Sequence, residues 1–456
     1  MRAILLRGLA IIYLIAFASL LPQFHGLIGS HGILPAHDYL QSLYSDYGRG
    51  AYTLFPTLAW FNSSDTFLTG MIWVGMVLAV LLFIGILPLP ATIGLFVLYL
   101  SLDTVGQVFY SFQWDALLLE AGFAAILLAP WGWRPSYSTP IPRIALWVFR
   151  FLIFRLMFES GAVKLLSGDP SWRNLTALAY HYETQPLPTP PAWLAEQLPL
   201  FFQKLSVIFV FIIELLVPLF FFAKGRLRAI AALLAIALQL LIAITGNYTF
   251  FNLLTILLCC SLFPARTAER TPMIVSVTGW ALIVLGAFQL ITAVGVVPSL
   301  PRPVAWLSFH AETFHVMNGY GLFAVMTTTR REIVIEGSDD GQQWKPYEFK
   351  YKPGNINRGL PWVAPYQPRL DWQMWFAALS DFRENPWFSQ LIVRLLQGEP
   401  AVIRLLATNP FPDKSPRFIH AITYDYHFTD WSTRRRTGAI WTRRFNGEYF
   451  PQVSLR

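Results

Sequence analysis

Charged residues are scarce in this sequence. They make up 13% of the 456 residues, whereas hydrophobic residues make up 55%. A soluble globular protein carries about 25% charged residues, so the composition indicates an integral membrane protein. The formal charge of +8 is accompanied by no nucleic-acid motif, and arginines in membrane-protein loops account for such an excess. We therefore expect membrane lipids among its partners, and no nucleic acid.

Cysteines and cofactor motifs are also rare or absent. Cys259 and Cys260 are the two cysteines, and they are adjacent within an apolar run. Adjacent cysteines in a helix are poorly placed to form a disulfide, and C-x-x-C is absent, so we do not expect a thiol oxidoreductase. His310, Glu312 and His315 form H-x-E-x-x-H, which differs from the zinc-binding pattern H-E-x-x-H. We predict no metal site and no cofactor.

Long apolar runs are abundant before residue 300. A helix needs about 20 apolar residues to cross the hydrocarbon core. The runs predict an α-helical polytopic bundle over residues 1–300 with about nine transmembrane helices, the first of them an anchor and not a signal peptide. The predicted spans are 4–23, 67–87, 91–112, 115–131, 144–163, 200–223, 229–246, 249–263 and 273–297.

The charges of the connections predict the orientation of this bundle. If the N-terminus is cytoplasmic, the connections on its side carry an excess of arginine and lysine, as the positive-inside rule requires. The connections 24–66, 113–114, 164–199 and 247–248 then lie on the other side, and they carry an excess of acidic residues. An odd number of spans places the C-terminal domain outside the cytoplasm, and an even number would reverse this.

Residues 301–456 are predicted to form an extracytoplasmic α+β domain that is rich in β-structure. Alternating residues at 331–336 and 347–351 flank the turn Asp339-Asp340-Gly341 and predict a hairpin. Residues 370–379 and 388–396 are predicted to be helical, and 418–428 to be a strand. A basic patch near the end is interpreted either as a solvated or headgroup-facing surface or as a protein-binding surface. It consists of Arg434, Arg435, Arg436, Arg443 and Arg444.

Several ionisable residues lie inside the predicted spans. Arg155 and Glu159 in the fifth span are four residues apart, so they share a helix face and are able to pair. Asp115 and Glu120 lie near the start of the fourth span, and Glu214 lies in the sixth. Charges in a membrane are costly and often mark a functional site, but they also form structural ion pairs. Both interpretations stay open.

Lys164 follows the same fifth span, just before a Gly-Asp turn and the interfacial Trp172. A lysine at a low-dielectric boundary can have a lowered pKa and act as a base, with Glu159 or Asp115 as its partner. The alternative is that its chain extends to the lipid headgroups, and the residue pattern alone favours this second interpretation.

Stretches in both parts of the chain resemble the lipase maturation factor family. The most specific are HYETQPLPTP at 181–190, GNYTFFN at 246–252 and APYQPRLDW at 364–372. Residues 112–120, 158–178 and 320–323 are similar as well. Together these stretches cover most of the chain.

The resemblance implies a multi-pass membrane protein whose C-terminal domain faces a client protein. The animal relatives lie in the endoplasmic reticulum membrane and help secreted lipases to fold and to assemble into active dimers. We therefore expect a maturation or folding factor, a chaperone for exported proteins, with a lipase as the suggested client. The candidate binding residues are Arg155, Glu120, Asp169, Trp172, His181, Tyr182, Glu183, Asn247, Asn252, Arg369, Asp371 and Trp372.

The C-terminal residues show no retention signal for the endoplasmic reticulum. We therefore expect a bacterial member in the inner membrane, with its N-terminus cytoplasmic and its C-terminal domain periplasmic. In a eukaryotic host the corresponding location is the endoplasmic reticulum membrane.

A second resemblance is shorter. Residues 159–172 are similar to a segment of the vitamin K-dependent γ-carboxylase and its bacterial relatives, in which the lysine that matches Lys164 is the proposed base. This implies an alternative function, that of an intramembrane enzyme that acts on a lipid-like or quinone-like molecule. The first resemblance covers most of the chain, whereas this one covers a short segment. We therefore expect a non-enzymatic factor and leave enzymatic activity open.

Overall fold

The computed structural model describes residues 1–296 and 300–455, and its first part is a helical membrane domain. Each of the nine predicted spans coincides with a helix, although the last residue of the final span, 297, lies outside the described residues. The helices are Arg2–Leu20, Asp65–Ile84, Pro88–Gly106, Gln113–Ile126, Arg143–Leu166, Leu200–Phe211, Arg226–Thr245, Phe251–Cys259 and Met273–Ala293.

Within the described residues, six helices are long and apolar enough to cross a membrane. These six are Arg2–Leu20, Asp65–Ile84, Pro88–Tyr110, Leu200–Phe222, Arg226–Thr245 and Met273–Ala293. The three other predicted spans fall short for physical reasons. Gln113–Ile126 has 14 residues and the apolar helix Phe251–Leu262 is also short, whereas Arg143–Leu166 has 24 residues but carries several charged side chains.

Helix boundaries follow from local sequence. The Ser64 hydroxyl accepts a hydrogen bond from the Phe67 amide at 3.3 Å and so caps Asp65–Ile84. Gly85 ends this helix in the left-handed conformation, with a φ of 85°, which glycine adopts without a Cβ clash. Pro88 then begins the next helix, where its missing N–H costs nothing.

The helix Arg143–Leu166, called the central helix below, has 15 of its 24 residues buried. It contacts Met273–Ala293, Gln113–Ile126 and Phe251–Cys259, as well as the segment after Leu200–Phe211. Gly286 permits one close approach, because a Cβ at this position would lie 3.1 Å from an Arg155 guanidinium nitrogen. Four charged side chains of the central helix, those of Arg150, Arg155, Glu159 and Lys164, are buried.

The acidic connections lie against the C-terminal domain. The Gln23 amide donates to the Gln367 carbonyl at 2.8 Å, and the Asn247 amide donates to the Pro361 carbonyl at 2.9 Å. The basic connections contact one another and the helix ends beside them. Arg7 donates to the Phe83 carbonyl at 3.1 Å, and the Ile141 amide donates to the Arg266 carbonyl at 2.9 Å. The connections are therefore grouped as their charges predict. Which group faces the cytoplasm stays a prediction.

The C-terminal domain is a mixed α/β domain built on an antiparallel sheet. The sheet has the order β2-β1-β5-β6, and β3 pairs separately with β4. The strands are β1 (Arg330–Ser338), β2 (Lys345–Pro346), β3 (Glu348–Phe349), β4 (Leu406–Thr408), β5 (Phe418–Phe428) and β6 (Trp441–Val453). The helices are Arg302–Thr313, Arg369–Ala377, Pro386–Leu396, Pro400–Ile403 and Trp431–Thr437.

The sequence predicts most of these elements but not all their pairings. Both predicted helices and the strand at 418–428 are confirmed, to within a few residues. The predicted hairpin is much shorter than expected, because β1 pairs with only Lys345 and Pro346 beyond the turn. Glu348 and Phe349, from the second predicted strand, pair with β4 instead.

Buried ionic contacts join the two parts of the chain. Arg369 from the C-terminal domain lies 3.0 Å from the Asp115 carboxylate, and both side chains are almost fully buried. Arg330 in β1 donates to the Pro186 carbonyl at 2.9 Å and pairs with Glu332 at 2.7 Å. One continuous apolar core extends from the membrane helices into the C-terminal domain.

Replacing Arg369 with methionine is expected to lower the free energy of unfolding by about 3–5 kcal/mol, because it leaves the buried Asp115 carboxylate without its cation. Denaturant unfolding of the full chain in detergent micelles measures this loss. The matched control is Arg383→Met, which removes an exposed pair with Asp381 at 3.6 Å and should cost less than about 1 kcal/mol. Equal losses in the two variants would contradict the structural role of the buried pair.

Candidate functional site

The predicted pair of Arg155 and Glu159 is present, and it belongs to a larger buried cluster. The Arg155 guanidinium lies 2.7 Å from Glu120 and 3.3 Å from Glu159. The Tyr320 amide donates to Glu159 at 2.9 Å, and the Tyr320 hydroxyl donates to Glu120 at 2.8 Å. The Asn318 amide donates to Glu120 as well, at 3.0 Å. The cluster therefore sets one guanidinium against two carboxylates, and neutral donors from Tyr320 and Asn318 complete the hydrogen bonding of the carboxylates.

Asp115 lies in a different ion pair. Its carboxylate accepts from Arg369 at 3.0 Å and from the Gln367 side chain at 3.3 Å, and it also accepts from the Tyr99 hydroxyl. All of these donors are buried, and two of them belong to the C-terminal domain. Asp115 is therefore part of the contact between the two domains.

Lys164 has a third, separate partner. Its ammonium nitrogen lies 2.7 Å from the Glu214 carboxylate and donates to the Ser160 carbonyl at 2.9 Å. It also lies 5.4 Å from the centre of the Trp172 ring, a distance that permits a cation–π interaction. The structure thus does not bring Lys164, Glu159 and Asp115 together. The proposed base Lys164 stays a prediction, but its partner in the structure is Glu214.

Glu214 reaches Lys164 from an irregular turn. Residues Ile212–Leu216 form a π-helical turn, and Val217–Phe222 form a 3₁₀ helix. Pro218 explains the irregularity, because a proline removes one helix hydrogen bond and its ring clashes with the carbonyl four residues earlier. Gly161 lets the two helices approach, since a Cβ there would lie 2.9 Å from the Glu214 Cβ.

Lys164 and Glu214 line a cavity of about 550 Å³, which is within the range of roughly 300–1,000 Å³ that is typical of small-molecule sites. Three of the predicted binding residues, Trp172, His181 and Tyr182, line it too, whereas Glu159 and Asp115 do not. Most of the remaining wall is apolar. We take this cavity, between the central helix, Leu200–Phe222 and Arg226–Thr245, as the candidate functional site and call it the lateral cavity.

Polar groups at the lateral cavity are held by hydrogen bonds. His181 Nε2 lies 3.1 Å from the Tyr248 hydroxyl, and this hydroxyl donates to the Gln185 side chain at 3.0 Å. Burial and, to a smaller extent, the nearby positive charge of Lys164 together lower the pKa of His181 to about 4. His181 is therefore neutral at pH 7.

The other predicted binding residues hold loops and domains together. Asp169 accepts from the Met326 amide at 2.6 Å, and Glu183 accepts from the Phe428 amide at 2.7 Å. Asn247 accepts from the Val363 amide at 2.7 Å. The structure places these three residues between the loops and the C-terminal domain, away from the lining of the lateral cavity.

Asn252, Asp371 and Trp372 likewise have packing partners. The Asn252 amide donates to the Gln239 side chain at 2.9 Å, next to the lateral cavity. Asp371 accepts from two consecutive backbone amides, each at 2.8 Å. The Trp372 ring packs edge-on against Trp114, with 4.6 Å between ring centres. These contacts support the fold around the site.

Tyr248, Gln185 and Arg330 were not among the predicted site residues. Tyr248 and Gln185 lie in stretches that resemble the family, and this resemblance could have identified them. Arg330 gave no signal, since an arginine at the start of an exposed-looking strand is ordinary. In the part of the chain that the structure describes, no group of three or more His, Cys, Asp or Glu side chains is arranged to hold a metal ion.

The sequence matches two family models that together cover most of the chain. The lipase maturation factor transmembrane domain matches residues 1–270, and the lipase maturation factor C-terminal domain matches residues 316–451. The chain belongs to the lipase maturation factor family. Both matches agree with a helical membrane domain followed by a C-terminal domain, and the boundary at residue 300 stays a prediction.

The sequences of curated relatives align with nearly all of this chain and over most of their own length. Lipase maturation factor 2 of Gallus gallus is 37% identical, with 100% of this chain and 81% of that protein aligned. Lipase maturation factor 1 of Homo sapiens is 35% identical over 100% of this chain and 88% of that protein, and that of Bos taurus is 33% identical over 99% and 89%. No solved structure matches the chain significantly.

A double-mutant cycle tests the ion pair at the lateral cavity. Lys164→Met leaves the buried Glu214 without its cation and should lower the free energy of unfolding by about 3–5 kcal/mol. Lys164→Met combined with Glu214→Leu should recover most of this loss, because an apolar pair of similar volume replaces a buried ion pair at little cost. A double variant that is less stable than Lys164→Met would contradict the pairing.

The pH dependence of stability should carry a contribution from His181. Its pKa is about 4 in the folded protein and about 6.5 when unfolded, so below pH 6.5 the unfolded state binds more protons. Stability is then lost as the pH falls from 7 to 5, by on the order of 1–2 kcal/mol because part of the ring faces the cavity. The stability of His181→Gln should not show this loss as the pH falls. The stability of His31→Gln, a substitution at an exposed site, should show it as wild type does. Identical slopes in wild type and His181→Gln would contradict the assignment.

Proposed function

We propose that this protein is a membrane-bound maturation factor for exported proteins and that its client is a lipase. The observation that carries the proposal is the family match over both domains, together with relatives whose names, lipase maturation factor 1 and 2, state lipase maturation. Its activity consists of binding a folding client. The geometry favours this function over the catalytic alternative because Lys164, Glu159 and Asp115 lie in separate ion pairs.

The proposed topology has nine membrane segments, with the N-terminus in the cytoplasm. Six segments cross as long apolar helices, and the central helix and the two short helices also cross, inside the bundle, so that the total is odd. The C-terminal domain then lies outside the cytoplasm, in the periplasm for the expected bacterial inner membrane and in the lumen for an endoplasmic reticulum membrane. Support comes from the basic residues at one group of connections and from the packing of the other group on the C-terminal domain.

The proposed client surface is the exposed part of β6, the strand at the edge of the sheet. Among the residues that the structure describes, no strand pairs with its outer edge, and the addition of an extended segment to a sheet edge is a known mode of peptide binding. Phe445 is 59% exposed there, and Arg444 lies beside it on the exposed stretch. Aromatic and arginine side chains are typical of residues that dominate binding energy at protein interfaces.

Removing residues 310–456 would not test this proposal cleanly. Such a deletion takes away Arg369, Tyr320 and Asn318 and exposes buried carboxylates of the membrane domain, so the remaining protein would misfold. Point substitutions on the exposed surface avoid this problem.

Alanine at both Arg444 and Phe445 should lower the amount of active secreted lipase by about tenfold, the effect of about 1.4 kcal/mol of lost binding. The variant is expressed in cells that lack the natural copy, and secreted lipase activity is compared with secreted lipase protein. Membrane levels of the variant should equal those of wild type because both side chains are exposed. Trp362→Ala is the matched control, since Trp362 is 60% exposed but lies outside β6.

Two outcomes would contradict different parts of the proposal. If cells lacking the whole protein secrete active lipase at the normal level, the maturation function is wrong. If loss of the whole protein lowers the secretion of active lipase but the double alanine variant secretes it at the wild-type level, the client binds elsewhere. The assignment of β6 is then wrong.

A further inference from the structure

The lateral cavity has a polar end and an apolar end. Lys164 and Met157 both line it, and they lie seven residues apart on the central helix, which corresponds to about 10 Å along the axis. His181 and Tyr248 lie at the polar end, near Lys164. Leu156 and Met157 line the deeper part, where the Gln239 side chain contacts the Met157 sulfur at 3.8 Å. An elongated molecule with one polar end matches this arrangement.

The lateral cavity opens toward the lipid-facing surface of the bundle. Leu198, Phe209 and Leu241 line it and are 47%, 53% and 61% exposed. Phe209 and Leu241 belong to Leu200–Phe222 and Arg226–Thr245, two apolar helices of membrane-spanning length whose residues are mostly unburied. In a bilayer, the molecules next to this opening are lipid chains.

The charges of the lateral cavity favour a ligand without net charge. The ammonium of Lys164 is balanced by the carboxylate of Glu214 at 2.7 Å, and His181 adds no charge at pH 7. An ammonium has three N–H donors, and within the described residues two of them are used, by Glu214 and by the Ser160 carbonyl. The remaining donor can bind a neutral acceptor such as an ester carbonyl.

Stability alone does not explain why the ion pair of Lys164 and Glu214 lies at this cavity. A buried ion pair is often no more stabilising than apolar residues of the same volume. Glu214 is moreover held in a π-helical turn, a feature that is frequent at functional sites. An ion pair whose ammonium lines a cavity provides a polar anchor in an otherwise mostly apolar wall.

We propose that the lateral cavity binds one acyl chain of a neutral glycerolipid, with the ester carbonyl at Lys164 and the chain extending past Met157. The lipid enters from the bilayer through the opening at Phe209 and Leu241. This binding site is independent of the client surface on β6, so either proposal can fail without the other.

Photocrosslinking of the full-length protein in detergent micelles tests the proposal. The probe is a monoacylglycerol with a diazirine in its chain and an alkyne for recovery, and the labelled peptides are mapped by mass spectrometry. We expect label on the central helix and on Arg226–Thr245, and competition by unlabelled monoacylglycerol. Label spread equally over Met273–Ala293, which contributes no residue to the lateral cavity, would overturn the proposal.

Adjacent substitutions on one helix provide a matched control. Leu241→Trp fills the opening and should reduce labelling by about tenfold, the effect expected when a hydrophobic pocket loses room for a methylene or more. Leu240→Trp should label as wild type, because Leu240 is 50% exposed but does not line the cavity. If Leu241→Trp fails to fold, Phe209→Trp with Ile208→Trp as its control replaces this pair. Equal labelling within a pair would overturn the proposal.

The choice of competitor tests the polar end of the ligand. A monoacylglycerol should compete more strongly than the fatty acid with the same chain, because a carboxylate would face Glu214. A fatty acid that competes equally or better would overturn the assignment of a neutral headgroup.

Discussion

The membrane domain contains buried carboxylates that need partners from the other end of the chain. Glu159 and Glu120 accept hydrogen bonds from Tyr320, and Asp115 is paired with Arg369. An ionised carboxylate without a partner is strongly destabilising in an apolar interior. The bundle is therefore electrostatically complete only when residues after 300 are packed on it.

This dependence makes the two domains one structure. The acidic connections of the membrane domain hold the C-terminal domain through hydrogen bonds from Gln23, Asn247 and Trp193, and Arg330 reaches back to the loop at Pro186. A domain fixed in this way presents a constant face, with β6 at its edge. A lipid in the lateral cavity and a client on β6 would thus be bound to the same rigid frame.

Local sequence predicted the features that depend on neighbouring residues. Hydropathy located nine helices, and a spacing of four residues identified the pair of Arg155 and Glu159, which the structure has at 3.3 Å. The alternation in 418–428 identified β5. The predicted span 67–87 continued past Gly85, although this glycine and Pro88 determine the helix ends through their immediate surroundings.

Tertiary pairings escaped prediction because no local pattern encodes them. Glu214 is 50 residues from Lys164, and Arg369 is 254 residues from Asp115. Nothing in the sequence around Lys164 distinguishes a partner on another helix from one on its own. The strand β6 was missed because its residues 442–446 are all exposed, which removes the alternation that identifies a half-buried strand.

The separation between Asp115 and Arg369 has a consequence for the order in which the protein is made. Synthesis proceeds from the N-terminus, so Asp115 is added to the chain 254 residues before Arg369. During that interval the growing chain holds a carboxylate whose cation does not yet exist. The protein therefore has a late-closing step in its own assembly, because its membrane domain is completed only by residues of its last third.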